Sequence, residues 1–129
     1  MLQNSSDVTL TALLFGLVPK VIREDIYQDY LRCLRLPGNA HAICEDYRAG
    51  ATIDLVHAAA DNGRKVETPL HLIWGGKGLT GLRYQPVSIW QDYATRVSGR
   101  PLQCGHFVPE EAPDELAAEI HGFVQGTGA

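Results

Sequence analysis

Cysteine is scarce in this chain of 129 residues, and Cys33, Cys44 and Cys104 fall at spacings that match no zinc motif. Three thiols cannot all pair, and the reduced thiols of a cytoplasmic protein are the expected state. No basic block occurs. Arg64-Lys65 is only a dipeptide, and the formal net charge is −4, so nucleic acid is not an expected partner. Long apolar runs are missing as well. Leu10 to Val18 is too short to span a bilayer, and Met1 to Asp7 lacks the basic region of a signal peptide, so no membrane association is expected. No set of histidines and acids has ligand spacing, so neither a metal nor another cofactor is expected. Gly75-Gly76-Lys77-Gly78 lacks the remainder of either nucleotide fingerprint and reads as a connection between a strand and a helix.

What remains is the composition of a globular protein, 45% hydrophobic and 20% charged. A helical first half precedes an alternating second half. Ile22, Ile26, Tyr30, Cys33 and Leu34 recur at helical spacing until Pro37-Gly38 stops the helix. Asn39 is placed to cap a second helix running from Ala40 to about Ala60, with Gly50 as a soft point. Ile43, Tyr47, Ile53, Val56 and Ala60 would form its buried face. Asp61 to Lys65 reads as a turn.

Leu70 to Trp74 follows as a mostly apolar strand. Pro86 opens a helix with a stripe of Val87, Trp90, Tyr93, Ala94 and Val97, which Ser98-Gly99 ends. Leu102 to Cys104 is a second short strand, and Pro113 begins a last helix with Leu116, Ala117, Ile120, Phe123 and Val124 on its buried face. Strand, helix, strand, helix at this spacing implies parallel pairing through a crossover helix. Two parallel strands do not make a stable sheet alone, so further strands must come from elsewhere.

The chemistry gathers at Cys104-Gly105-His106-Phe107-Val108-Pro109-Glu110-Glu111-Ala112-Pro113. That order puts an imidazole at the carboxyl end of a strand, where α/β sheets collect their ligands. A neutral imidazole there can serve as a general base near neutral pH, so His106 is the main catalytic candidate; its bland alternative is a ring that bonds the loop backbone. Tyr47 is the second candidate, as a phenol able to donate to an anion, although spacing alone reads it as a core residue. Glu45, Asp46 and Arg48 read as a solvated or ion-paired helix face. His71 in mid-strand and His57 in mid-helix read as satisfied structural residues, and His121 as a cation complementing a helix end.

From about Arg23 to Phe123 the chain resembles the haloacetate dehalogenase family, whose best-known members act on fluoroacetate and share the α/β-hydrolase fold. The resemblance is carried by Cys44-Glu45-Asp46-Tyr47-Arg48-Ala49-Gly50-Ala51, Leu72-Ile73-Trp74-Gly75, Ile89-Trp90 and the Gly105 to Pro113 loop. It implies the C-terminal portion of an α/β-hydrolase, with residues 1–66 as the end of a helical cap and residues 67–129 as the β-α-β-α end of the core. It also implies His106 as the base that activates water against an ester, and Tyr47 as a hydrogen-bond donor to the departing halide of a small haloacid substrate. The family's aspartate nucleophile has no counterpart, since no segment reads as a strand–nucleophile–helix elbow.

Three readings stay open: a haloacid hydrolase, an epoxide hydrolase or esterase of the same fold, and a non-catalytic fragment or interaction module. Isolated, the chain is expected to be inactive, and to form a homo-oligomer or associate through its uncovered sheet edge.

Overall fold

Because Asn39 binds backwards rather than forwards, the first two helices are tied together at their junction. Its side-chain amide donates to the carbonyl of Cys33 at 2.7 Å, and Gly38, at φ 88°, holds the N-cap position that the sequence suggests for Asn39. The computed structural model describes residues 21–61 and 63–126. Leu10 to Val18 and Asn62 of the expected turn lie outside those residues. The chain divides into two compact units at Asn62 and Gly63.

The first unit holds α1 (Glu24–Leu34), α2 (Asn39–Gly50) and α3 (Ile53–Ala60). Glu24 and Asp25 in the first turn of α1 and Arg32 in its last complement the helix dipole. Leu31 and Leu34 are buried, with Tyr27 and Ile43 packed against them. Of the expected stripe, Ile22 and Leu34 are buried, Ile26 and Cys33 are half-buried and Tyr30 is exposed; Tyr27 and Leu31, one residue (about 100°) round the helix, complete the inner face instead.

The expected single helix from Ala40 to Ala60 is two. Thr52 leaves helical geometry at φ −137°, its hydroxyl donates to the carbonyl of Arg48, and its N–H goes to Ala49. These bonds take the carbonyls that a continuing helix would need. No residue of α3 is buried, so Ile53 and Val56 do not form the buried face expected of them.

The second unit is built on β1 (Leu70–Gly75) and β2 (Val97–Leu102), paired in parallel from Leu70↔Val97 to Gly75↔Leu102. Two short helices, α4 (Leu79–Arg83) and α5 (Pro86–Trp90), make the crossover. The helix expected to reach Val97 therefore stops at Trp90, and the second strand starts well before Leu102. Gly99 and Pro101, which look like breakers, lie inside β2 without harming the ladder.

Leu70 and Gly76 donate to the carbonyls of Arg96 and Leu102, so even-numbered residues of β2 face β1 and Pro101 faces outward. A proline tolerates that side because no ladder bond is asked of it. Leu102 is completely buried and Cys104 nearly so. Among the described residues β1 pairs with β2 alone, and its other edge carries no strand.

Beyond β2 come the single turn α6 (Val108–Glu111) and the longer α7 (Pro113–Val124). Helix α7 turns Leu116, Glu119 and Phe123 inward, whereas Ala117, Ile120 and Val124, expected on the buried face, are exposed. The carboxylate of Glu119 displaces that face, because it meets a histidine and an arginine on the sheet. Among the described residues no helix is long and apolar enough to cross a membrane.

Candidate active site

Past the last paired residues the two strands keep hydrogen bonding. Gly76 donates to Leu102 at 2.8 Å and Lys77 to Cys104 at 2.9 Å, which lays the loop after β1 directly beside the loop after β2. Gly75 makes this closeness possible. A Cβ there would overlap the carbonyl oxygen of Gly105, so two backbones meet where no other residue fits. The Gly75 to Gly78 segment is therefore a packed shelf against the histidine loop.

His106 sits on that loop with its side chain exposed. Its ring meets Phe107 edge-on, with centroids 5.1 Å apart and planes at 78°. Among the described residues no hydrogen bond reaches the imidazole and no carboxylate orients it. An exposed ring without a partner among the described residues suits a base whose partners lie outside this loop.

The backbone around His106 is held by Glu111. One carboxylate oxygen accepts the N–H of Gly105 and the other the N–H of Phe107 at 3.1 Å. The N–H of Glu111 in turn donates to the carbonyl of Phe107 at 2.8 Å. In the sequence Glu110 and Glu111 read merely as loop acids. The signal that marks Glu111 is a carboxylate one helical turn beyond Phe107, followed by Pro113, which stops the turn from running on.

Cys104 is not a competing nucleophile. Burial first, and then the nearby Glu111 and Glu115, push its thiol above the usual range, so it stays protonated near neutral pH.

A second polar cluster lies toward the start of β1. The ring of His71 is nearly buried, with Nδ1 2.8 Å from the Ser98 hydroxyl and Nε2 3.1 Å from Glu119 Oε2. Phe123 stacks on the ring at 5.0 Å. Arg100 donates through Nε to Glu119 Oε1 at 2.8 Å. Arg100 first, then His71, hold the Glu119 carboxyl below the usual carboxylate range. His71 is thus a satisfied structural histidine, as its place in mid-strand suggests. His57 is exposed on α3, and His121 lies in the last turn of α7.

Tyr47 lies on α2 and is 78% exposed, so the core role that spacing alone favours is overturned. Beside it Glu45 is paired with Arg48. Tyr47 belongs to the first unit and His106 to the second. Among the described residues no group of three or more histidines, cysteines and acids could hold a metal ion.

No family model matches the chain. It is 35% identical over 105 residues to the soluble epoxide hydrolase of Corynebacterium sp. strain C12, covering 81% of this chain and 35% of that protein. It is 31% identical over 97 residues to the fluoroacetate dehalogenase of a Burkholderia species, covering 75% of this chain and 32% of that one. The chain spans about a third of the length of these curated relatives.

Among solved structures, a Salmonella enterica protein provisionally described as an acyltransferase superposes with a TM-score of 0.88 at 36% identity, covering 98% of this chain and 43% of the other. A Nostoc sp. PCC 7120 protein provisionally described as an α/β-hydrolase gives 0.86 at 38% identity, over 95% and 43%. The chain has the fold of the C-terminal portion of an α/β-hydrolase, and its curated relatives include an epoxide hydrolase and a dehalogenase.

Proposed function

We propose, with the C-terminal α/β-hydrolase fold as the premise, that this chain carries the histidine half of a hydrolytic site of the haloacetate dehalogenase kind. The observation that supports it most is His106 itself. Its imidazole is exposed and free of hydrogen bonds among the described residues, on a loop anchored at the carboxyl end of β2.

In this reading a carboxylate nucleophile from outside the described residues displaces halide from the carbon of a haloacid, forming an ester and releasing the halide ion. His106 takes a proton from water as the oxygen attacks the ester carbonyl. The ester C–O bond then breaks, the leaving alkoxide takes the proton back from the His106 imidazolium to give the hydroxy acid, and the nucleophile's carboxylic acid loses its proton to water, restoring the carboxylate. Tyr47 donates its hydroxyl proton as a hydrogen bond to the departing halide, where charge develops and a placed donor lowers the barrier.

The stronger match to a soluble epoxide hydrolase supports a second reading. There the same base hydrolyses an ester formed by opening an epoxide, and Tyr47 donates to the ring oxygen. The chain alone is expected to be inactive, since a histidine without its nucleophile gives little rate enhancement.

The test uses a polypeptide in which this chain continues from an upstream α/β-hydrolase half, with His106→Gln. Fluoroacetate should then release fluoride once per protein and leave an ester adduct visible by mass spectrometry. An adduct formed only from an epoxide would select the second reading. Undiminished turnover by His106→Gln would remove His106 from the role of general base, and full fluoride release by the 129-residue chain alone would overturn the expectation that its nucleophile comes from elsewhere.

A further inference from the structure

We propose that Glu111 is the positioning residue of the histidine loop: its carboxylate holds the backbone on both sides of His106 and so aims the imidazole. The assignment rests on His106 being the base described above, and it deepens that reading.

Three bonds carry it. The two carboxylate oxygens accept the N–H groups of Gly105 and Phe107, the residues that flank His106. The N–H of Glu111 donates to the carbonyl of Phe107, so Phe107 is held at its donor and at its acceptor by one residue. An exposed side chain such as His106 gains no orientation from packing on its outer side. The backbone of residue 106 sets the direction of its Cα–Cβ bond and limits the rotamers open to the ring; that backbone is held when the amides before and after it share one acceptor group, and the edge of Phe107 lies against the ring. Glycine at 105 belongs to the same device, since a Cβ there would lie 2.7 Å from Glu111 Oε1.

Glu111 is itself immobilised. It closes the single turn α6, and Pro113 has no N–H with which to prolong that turn. Two charge-assisted bonds to backbone donors are stronger than neutral ones, and few side chains other than a carboxylate present two acceptor oxygens at this spacing. Glutamine is nearly isosteric but keeps only one acceptor, and alanine keeps none.

The experiment is nuclear magnetic resonance on the 129-residue chain, which requires no turnover. In Glu111→Ala, hydrogen exchange at the Gly105 and Phe107 amides should accelerate by roughly tenfold or more, as expected when a net hydrogen bond is lost. The contact between the His106 and Phe107 rings should average out, while amides of β1, β2 and α7 keep their protection. Glu111→Gln should fall between alanine and the parent chain.

Unchanged exchange and ring contact in Glu111→Ala would overturn the assignment. So would equal loosening of β1, β2 and α7, which would make Glu111 a general stabiliser. If Glu111→Ala does not fold, the unmodified chain decides. Couplings through the hydrogen bonds from both amide nitrogens to the Glu111 carboxyl carbon are expected, and their absence at both would overturn the proposal. Because none of these readings involves catalysis, failure of His106 as a base would show in the trapping experiment and leave them untouched.

Discussion

The Glu119 carboxylate and the His71 imidazole meet at 3.1 Å across 48 residues of sequence, binding the last helix to the first strand. The other oxygen of the same carboxylate takes Arg100 on β2. One side chain on α7 therefore grips both strands. The histidine loop runs between β2 and α7, the two elements that the Arg100–Glu119 pair joins.

Replacing His71 by phenylalanine keeps a flat ring against Phe123 but removes both hydrogen bonds. The Ser98 hydroxyl and one Glu119 oxygen then lose their partner on a nearly buried ring. Destabilisation of about 1–3 kcal/mol is expected from groups left unsatisfied in this way. Chemical denaturation followed by circular dichroism measures it, and a loss below about 0.5 kcal/mol would show the cluster to be inert.

Stability should also fall in acid by way of Glu119. Its folded carboxyl titrates below the ordinary value, with Arg100 the larger cause and His71 the next. The unfolded chain therefore binds this proton first as pH drops. The contribution is complete above the ordinary carboxylate value of about 4.3 and is lost as pH falls through the lowered folded value. Denaturation midpoints from about pH 6 to about pH 3 should decline, and Glu119→Gln should flatten part of that decline. An unaltered slope in the variant would place the acid sensitivity elsewhere.

Gly75→Ala should be the most damaging conservative change in the second unit. The added methyl would enter the space of the Gly105 carbonyl, a backbone atom that cannot rotate away. A cost of about 3 kcal/mol or more is expected from overpacking of this severity. The same denaturation experiment reads it. Resonances of Gly105 and His106 should shift more than those of α7, since the clash is with the loop itself.

Tyr47→Phe tests the exposed candidate on α2. Stability should change by less than about 0.5 kcal/mol, as for most surface substitutions. In a turnover-competent enzyme containing this chain, kcat for halide release should drop on the order of a hundredfold with KM little altered, as when one transition-state donor is removed. Equal losses in substrate binding and in turnover would leave Tyr47 as a pocket wall.

Much of the second unit is legible in the sequence because its signals are local. An apolar run marks β1, and Pro113 with two following acids marks the start of α7. Parallel pairing follows from the β-α-β order.

What escapes such reading depends on partners distant in sequence. Ser98-Gly99 reads as the end of a helix until its pairing with β1 is known. Val97 completes a helical stripe on paper, yet it opens the strand. Ile120 and Val124 look inward-facing as long as Glu119 counts as a surface charge, and only His71 and Arg100 reveal why it turns in. At the site, His106 is visible as the histidine of a strand-end loop. Glu111 reads there as one of two loop acids, because what it binds is two backbone amides and its only sequence signal is its spacing from Phe107 and Pro113.

The outward-facing proline of β2 has a larger consequence. Where the next strand would seek a donor, Pro101 offers none, so the sheet has a finished margin on that flank and an open one beyond β1. Among the described residues the β1 flank is thus the better template for a further strand, which would leave β2, with the His106 loop beyond it, as a border strand. Were His106 the proposed base, a border position would give it neighbours from the sheet on one side only and leave the other side to water, the reagent that a hydrolytic step consumes.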